Sequence, residues 1–307
     1  MQVDIAICTW NRANELRRIL VELGKCKQPE DVSVVITIID NNSCDDTFDV
    51  VKDAKIKFKV NYFLERNQGL SHARNTALQN THGDWLIFTD DDVSVTTNWI
   101  ENWATVLKTL PNNIAFAGGE VIPRFAVPPN QNLLASMPMI SSGFCGVNLP
   151  HEKYITSEDD PYPMGANFAL NKSLIGRNQF NTKLGVSAGK RILGEERVFM
   201  RNLVKNGMKG IWVENVGLEH IIPENRLSED SLKKQLIGIG QTRVLKELED
   251  KGTHTLPSWV YRSFIENFFY MKLLLLSGQK DSVKYWKAFS TTWECWGWLK
   301  ENFNSKY

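Results

Sequence analysis

Three consecutive aspartates, Asp90, Asp91 and Asp92, close the segment GDWLIFTDDD. The apolar run before them is typical of a buried strand, and adjacent carboxylates at a strand end repel one another. A divalent cation relieves that repulsion, and hard cations such as Mg2+ and Mn2+ prefer oxygen ligands. Taken alone, the run also fits a solvated acidic turn.

Polar clusters also follow the other three strands predicted in the first half of the chain. They occupy residues 9–12 (TWNR), 40–43 (DNNS) and 66–69 (RNQG), and the acidic run at 90–92 is the fourth. In an open α/β sheet, ligands bind outside the carboxyl ends of the strands. Side by side, the four clusters form one polar rim, which favours the metal site over the solvated turn.

Strands and helices must alternate to build such a rim, and the first half of the chain has that pattern. Segments such as VDIAICTW and VSVVITIID alternate with amphipathic segments such as RANELRRILVELG. This alternation predicts an α/β fold with a mainly parallel central sheet flanked by helices. The proline-rich stretch 122–163 is predicted to be loop-rich, and a long irregular stretch inside a compact domain is either functional or mobile. The end of the chain is predicted to be helical.

Composition and charge restrict the partners and the compartment. The 307 residues carry a net charge of +1, with 42% hydrophobic and 23% charged residues, as in ordinary globular proteins. A near-neutral balance argues against a nucleic-acid partner. Five cysteines without a CxxC pair suit a reducing compartment, and the sequence shows neither a secretory leader nor a run of ~20 apolar residues. We therefore expect a cytoplasmic protein, with attachment to the inner face of the membrane left open.

Seven segments of the chain together resemble one enzyme family. They are CTWNRANEL, IIDNNSCDDT, ERNQGLSHARNTAL, GDWLIFTDDD, MGANFAL, LGEERVFMRNLVKNG and LEH. In this order and spacing they resemble a GT-A fold glycosyltransferase of the family 2 type, which is Rossmann-like. The resemblance implies a catalytic domain over residues 1–225, with a nucleotide-sugar half at about 1–120 and an acceptor half at about 121–225. Residues 226–307 would form a C-terminal helical extension.

The resemblance also implies a nucleotide-sugar site. Its residues would be Thr9, Asn11, Arg12, Asp40, Arg74, Asp90, Asp91 and Asn167. Within this set, Asp40 would contact the base, Arg74 would lie near the nucleotide or its phosphates, and Asn167 would lie near the donor sugar. The donor is expected to be a nucleotide-diphosphate sugar, with a UDP-sugar as the first guess.

A divalent cation, Mn2+ or Mg2+, is the cofactor that the resemblance implies. Asp90 and Asp92 match the outer positions of a DXD motif, and His220 matches a histidine that completes the metal or diphosphate site. Asp91 fills the variable position and is expected to tolerate change. The remaining histidines are expected to be structural or surface residues; they are His72, His82, His151 and His254.

The pair Glu195-Glu196 opens a predicted helix. In the resembling family this position commonly reads Glu-Asp, and the Asp is the catalytic base of inverting members. Glu196 occupies the Asp position, but glutamate is one methylene longer, so Glu195 is an alternative base. Two acids favoured by a helix N-terminus are the structural alternative.

The resemblance implies a metal-dependent inverting glycosyltransferase that extends a glycan or lipid-linked glycan in cell-surface polysaccharide synthesis. A non-catalytic relative that binds nucleotide or glycan is the main alternative. A sugar nucleotidyltransferase would need a glycine-rich loop after the first strand, and CTWNRANEL has none. A phosphatase of the HAD type would need its aspartate pair after the first strand, whereas these acids follow the fourth.

The last 51 residues, from Pro257 to Tyr307, hold five of the ten tryptophans and more basic than acidic residues. Basic, tryptophan-rich amphipathic helices can lie at a membrane surface. The alternative is that these helices pack on the catalytic domain or on a second subunit of a homo-oligomer.

Overall fold

The computed structural model describes residues 1–136, 153–187 and 190–304. Its strands are β1 (Gln2–Thr9), β2 (Ser33–Asp40), β3 (Lys59–Leu64), β4 (Trp85–Thr89), β5 (Val93–Ser94), β6 (Ile114–Gly118), β7 (Val121–Phe125), β8 (Lys153–Ile155), β9 (Asn167–Asn171), β10 (Gly185–Ser187), β11 (Lys190–Ile192), β12 (Lys209–Trp212) and β13 (Leu218–Ile222). Its helices are α1 (Ala13–Lys25), α2 (Thr47–Lys52), α3 (Leu70–Asn80), α4 (Trp99–Thr109), α5 (Gln131–Ser136), α6 (Lys172–Ile175), α7 (Glu195–Lys205), α8 (Glu229–Lys251), α9 (Ser258–Leu276) and α10 (Val283–Asn304), with a 3-10 turn at Glu224–Leu227.

The main sheet has eight strands among the described residues, in the order β3-β2-β1-β4-β9-β6-β12-β8. The pairs β1 with β2, β1 with β4, β2 with β3 and β6 with β12 are parallel. Strand β9 runs antiparallel to both β4 and β6, and β8 runs antiparallel to β12. The prediction of a mainly parallel sheet flanked by helices is therefore confirmed.

The register of the parallel strands sets the edge at which the polar clusters meet. Thr9 lies opposite Asp40 across β1 and β2, and Ile7 lies opposite Thr89 across β1 and β4. The chain segments that leave β1, β2 and β4 therefore start within one or two residues of one another along the sheet. This register brings the clusters at 9–12, 40–43 and 90–92 to the same edge.

Side chains from the two faces of the sheet enter two separate apolar clusters. Ile5 and Ile7 of β1 are fully buried on one face with Trp99 and Trp103 of α4, whereas Ala6 lies in the cluster on the other face. This alternation follows from the two-residue repeat of a strand. A sheet covered on both faces explains why its central strands are apolar almost throughout.

The proline-rich stretch 122–163 contains regular structure where it is described. It includes most of β7, all of α5 and all of β8, which are short elements within the stretch predicted to be loop-rich. Pro123 is compatible with β7 because β7 is an edge strand of the small sheet β5-β13-β7. Residues 137–152, including His151, lie outside the described residues.

The described chain divides into two compact units. One contains residues 1–124, 153–187 and 194–221, and the other contains residues 125–136, 190–193 and 222–304. In the second unit, α8 and α10 approach closely at Gly240 and Gly297, where an added Cβ would clash with the backbone of the facing helix. Helix α8 begins at the predicted cap Ser228 and ends at Gly252, which has the left-handed φ of 68°. None of the helices in the described ranges has the length and apolarity needed to cross a bilayer.

Candidate active site

Asp90, Asp92 and His220 form a compact set of donor atoms at the carboxyl end of β4. One ligand atom from each residue lies within 4.8 Å of those from the other two. The short strand β5 places them, because it pairs antiparallel with β13 and sets His220 opposite Val93. The His220 Nε2 atom is 3.1 Å from Asp92 Oδ1, and the backbone amide of Ile221 donates to the Asp92 carbonyl at 2.8 Å.

The electrostatics of this set favour a bound cation. Burial raises the pKa of Asp90, and the neighbouring charge of Asp92 raises it further. Asp92 and His220 are also buried. Two carboxylates and an imidazole are a donor set that divalent metals such as Mn2+ accept. The chemistry of the residues therefore fits the cation that the sequence predicts.

Asp91 is held on both of its carboxylate oxygens. The Thr9 hydroxyl donates to one oxygen at 2.7 Å, and Arg12 Nη1 donates to the other at 2.7 Å and to Asp92 at 2.8 Å. Burial raises the pKa of Asp91 to about 6, although the Arg12 charge opposes the shift. These contacts argue against the expected tolerance of position 91, because Asp91 joins the end of β1 to the acidic run.

The loops after β1 and β2 interlock through Asn11. Its backbone, with the left-handed φ of 53°, donates to Ser43 Oγ at 2.9 Å, and its side-chain carbonyl accepts from the Cys44 amide at 2.8 Å. Asp40 is buried and accepts from the Ser43 amide at 2.8 Å and from the Tyr62 hydroxyl at 2.7 Å. The predicted nucleotide-binding segments therefore form one connected rim.

The third cluster joins this rim through a residue that sequence reasoning did not single out. Asn41 accepts from the Gly69 amide at 2.8 Å and donates to the Asn67 carbonyl at 2.7 Å. Its position next to Asp40 at a strand end was the available signal, because an amide can bond to two neighbouring loops at once. Tyr62 was also missed, since a tyrosine within a strand gives no sign of which carboxylate it meets.

Arg74 lies in a buried ion pair and not on the open rim. Its Nη1 atom is 2.5 Å from Glu195 Oε1 and 3.8 Å from Glu196 Oε2, and its Nη2 atom donates to the Gly165 carbonyl at 3.3 Å. The guanidinium also lies over the rings of three aromatic residues at 5.6–5.9 Å; they are Phe88, Phe168 and Phe180. Contact of Arg74 with a nucleotide stays a prediction.

Glu195 and Glu196 differ in environment although they are adjacent on the first turn of α7. The Glu195 side chain is almost fully buried against Arg74, whereas that of Glu196 is 14% exposed. Burial raises the pKa of Glu196 to about 7, and the charge of Glu195 adds to the shift while Arg74 opposes it. A carboxylate with a pKa near neutrality suits a general base, so this arrangement favours Glu196.

Asn167 has a structural environment. Its side chain is fully buried, and its amide nitrogen donates to the carbonyls of Glu120 and Val216 at 2.9 and 2.8 Å. Its carbonyl accepts from the Trp103 indole at 3.2 Å. In this conformation Asn167 links β9 to the neighbouring loops and has no exposed surface, and its place near a donor sugar stays a prediction.

Comparison with known proteins identifies the family of this chain. The family model for Glycosyl transferase family 2 matches residues 4–175. Succinoglycan biosynthesis protein ExoM of Rhizobium meliloti (strain 1021) is 25% identical over 257 residues, which cover 80% of this chain and 76% of ExoM. The uncharacterized glycosyltransferase YfnE of Bacillus subtilis (strain 168) is 30% identical over 94 residues, which cover 30% of this chain and 24% of YfnE.

Two solved structures share the fold. The mannosyltransferase PcManGT from Pyrobaculum calidifontis, in complex with GDP-Man and Mn2+, has a TM-score of 0.57 at 15% identity and covers 99% of this chain and 74% of its own. S. aureus TarS 1-349 in complex with UDP has a TM-score of 0.54 at 11% identity and covers 100% of this chain and 92% of its own. These likenesses confirm the predicted GT-A fold.

Proposed function

Because the chain belongs to glycosyl transferase family 2, we propose that it is a metal-dependent inverting hexosyltransferase, of class EC 2.4. The reaction moves a sugar from a nucleotide-diphosphate donor to a hydroxyl of a glycan or lipid-linked glycan during cell-surface polysaccharide synthesis. The observation that carries the proposal is the compact donor set of Asp90, Asp92 and His220 at the carboxyl edge of the sheet. The likeness to a succinoglycan biosynthesis protein supports the class of product.

Asp90, Asp92 and His220 would hold the cation, either Mn2+ or Mg2+. When bound, a divalent cation neutralises the negative charge that develops on a departing diphosphate. Arg12 contacts Asp91 and Asp92 with its side chain 35% exposed, so its guanidinium can add a second positive charge toward a phosphate. Thr9, Asn11 and Asp40 line the connected rim on which the nucleotide would lie, with Asp40 toward the base.

Glu196 would accept the proton of the acceptor hydroxyl. The hydroxyl oxygen then forms its bond to the anomeric carbon on the face opposite the nucleotide, and the bond from that carbon to the diphosphate oxygen breaks. The electron pair leaves with the diphosphate, so the anomeric configuration inverts. Glu196 is preferred over Glu195 because Glu195 is engaged by Arg74 at 2.5 Å and is almost fully buried.

The test is a thermal-shift panel of UDP, GDP, dTDP and CMP, each with and without Mn2+. UDP and GDP come first, since one structural neighbour was solved with UDP and another with GDP-Man. A nucleotide at a hundred times its dissociation constant adds about 2.7 kcal/mol of stability. We expect a shift that depends on Mn2+ and that Asp92→Ala abolishes, and the absence of a shift with every nucleotide would contradict the proposal.

The C-terminal unit would attach the enzyme to the inner face of the cytoplasmic membrane. Helix α9 carries apolar side chains that are more than half exposed, among them Phe269, Leu273 and Leu276, and exposed apolar faces mark contact surfaces. In a flotation assay with anionic liposomes, the full chain should rise with the lipid fraction. A variant with Phe269, Leu273 and Leu276 changed to Ser should stay in the bottom fraction. A homo-oligomer that covers the same face is the alternative, which sedimentation of the two proteins would reveal.

A further inference from the structure

The ion pair between Arg74 and Glu195 lies beside Glu196 and has no part in the reaction as described. Arg74 comes from α3 and Glu195 from the first turn of α7, and their side chains are 3% and 4% exposed. A buried ion pair is weak evidence for stability, because desolvation offsets much of the attraction. Its presence at this point therefore calls for a role other than holding the fold together.

The surroundings of Arg74 hold its guanidinium in one place. Three phenylalanine rings lie at 5.6–5.9 Å from it, and the Gly165 carbonyl accepts from Nη2. A Cβ at position 165 would clash with Arg74 Nη2 and would lie 3.5 Å from Glu196 Cδ. Gly165 therefore leaves room for Arg74 and Glu196 to lie side by side.

We infer that Arg74 and Glu195 are positioning residues, which orient Glu196 toward the acceptor hydroxyl and set the pH range in which it accepts a proton. The inference rests on the proposed function, in which Glu196 is the base. Arg74 Nη1 contacts Glu195 Oε1 directly and lies 3.8 Å from Glu196 Oε2. The Arg74 guanidinium thus pairs with Glu195, and the carboxylate of Glu196 is left to contact the substrate.

The charges around Glu196 act in opposite directions. Glu195 on its own helix and Asp90 after β4 disfavour its ionised form, whereas Arg74 on α3 favours it. Cys8 faces Arg74 and Glu195 from β1, and burial raises its pKa to about 12, so the thiol stays neutral. Removing the charge of Glu195 should therefore make Glu196 more acidic.

The experiment measures the titration of Glu196 by carbon-13 NMR of protein labelled at the glutamate carboxyl carbons. The Glu196 signal is the one missing from Glu196→Gln. In Glu195→Gln we expect the titration midpoint of Glu196 to fall by about one pH unit. The acid limb of the pH profile of kcat should shift to lower pH with it. The matched control is Glu294→Gln, which breaks the ion pair with Arg243 at 2.5 Å in the other unit. It should change neither the titration midpoint of Glu196 nor the acid limb of the kcat profile.

The double variant Arg74→Met with Glu195→Met separates orientation from charge and keeps the test valid if Glu195→Gln does not fold. Because the two removed charges oppose each other, the Glu196 midpoint should move less than in Glu195→Gln, while kcat falls about tenfold or more. An unmoved midpoint in Glu195→Gln, or full kcat in the double variant, overturns the inference.

Failure of the proposed function has a different signature. If Glu196→Gln keeps normal turnover, Glu196 is not the base and the proposed mechanism fails. The NMR titration needs no substrate, so it still reports whether the ion pair controls Glu196. If Glu196→Gln is inactive and Glu195→Gln leaves the titration unmoved, only the positioning role is lost.

Discussion

Two arginines in this protein each contact a pair of adjacent acids, and their surroundings differ. Arg12 bridges Asp91 and Asp92 at the rim with 35% of its side chain exposed, whereas Arg74 contacts Glu195 and Glu196 with 3% exposed. Water and salt screen an exposed ion pair, so its geometry can change when a ligand arrives. A buried pair is screened much less and stays fixed. The comparison separates a group that can turn to a phosphate from a group that orients a base.

The largest expected effect is a loss of activity at Glu196, in the buried cluster with Arg74 and Glu195. Changing Glu196 to Gln removes the proton acceptor, and general-base catalysis is worth about 10²–10⁴-fold in rate. We expect kcat to fall by that factor with little change in melting temperature. Steady-state kinetics and calorimetry on the same samples measure both. A variant that keeps turnover within about twofold of the parent, far less than the factor above, would contradict the assignment.

Truncation of the two arginines compares the two clusters directly. Arg74→Ala leaves Glu195 buried without its cation and should cost about 3–5 kcal/mol of unfolding free energy. Arg12→Ala also leaves two buried carboxylates, but Arg12 itself is 35% exposed, so water can enter the space that it vacates and the cost should be smaller than for Arg74→Ala. Urea unfolding of both variants in parallel measures the difference. Equal losses would show that burial does not distinguish the clusters.

Asp91 provides an intermediate effect. It is buried, but its partner Arg12 is part-exposed, so Asp91→Ala should cost about 1–3 kcal/mol by leaving Thr9 and Arg12 without their acceptor. Asp91→Asn keeps the shape and one acceptor oxygen and should cost less. Chemical denaturation of both variants checks this ranking, and unchanged stability in Asp91→Ala would restore the tolerance expected from the sequence.

A separate effect is a dependence of stability on pH. The pKa of Glu196 is raised to about 7 from an ordinary value of 4.5, so the folded protein binds this proton more tightly than the unfolded chain does. The stabilisation that this bound proton gives to the folded protein is complete below about pH 4.5 and is lost as pH rises through about 7. Activity has the opposite trend, since the base must be ionised. The difference in unfolding free energy between the parent and Glu196→Gln, measured from pH 5 to 8, isolates this contribution.

The predictions from sequence succeeded where the pattern is local. Alternating strand and helix periods identified the parallel sheet, and polar clusters at the strand ends indicated a site around Asp90 and Asp92. The family resemblance added His220, which lies beside them. Each strand end is visible in a short window of sequence, and one rule of sheet topology brings the ends together.

The predictions were less complete where a side chain depends on a distant partner. Arg74 meets Glu195 across 121 positions, and Asn167 meets the carbonyls of Glu120 and Val216 across 47 and 49 positions. Residue type alone predicts neither the burial of a side chain nor a bonding partner that is so distant in the sequence. The resemblance assigned both residues to the ligand, whereas packing between α3 and α7 and around β9 determines their contacts.

The pairing of β5 with β13 also fixes the order in which Asp90, Asp92 and His220 can come together during synthesis. His220 follows Asp92 by 128 residues. At a rate of about 5–20 residues per second, a ribosome needs roughly 6–26 s to travel that distance. During this interval the nascent chain holds the carboxylates of Asp90 and Asp92 without the imidazole, so a cation bound early would gain its third protein ligand only after β13 has emerged.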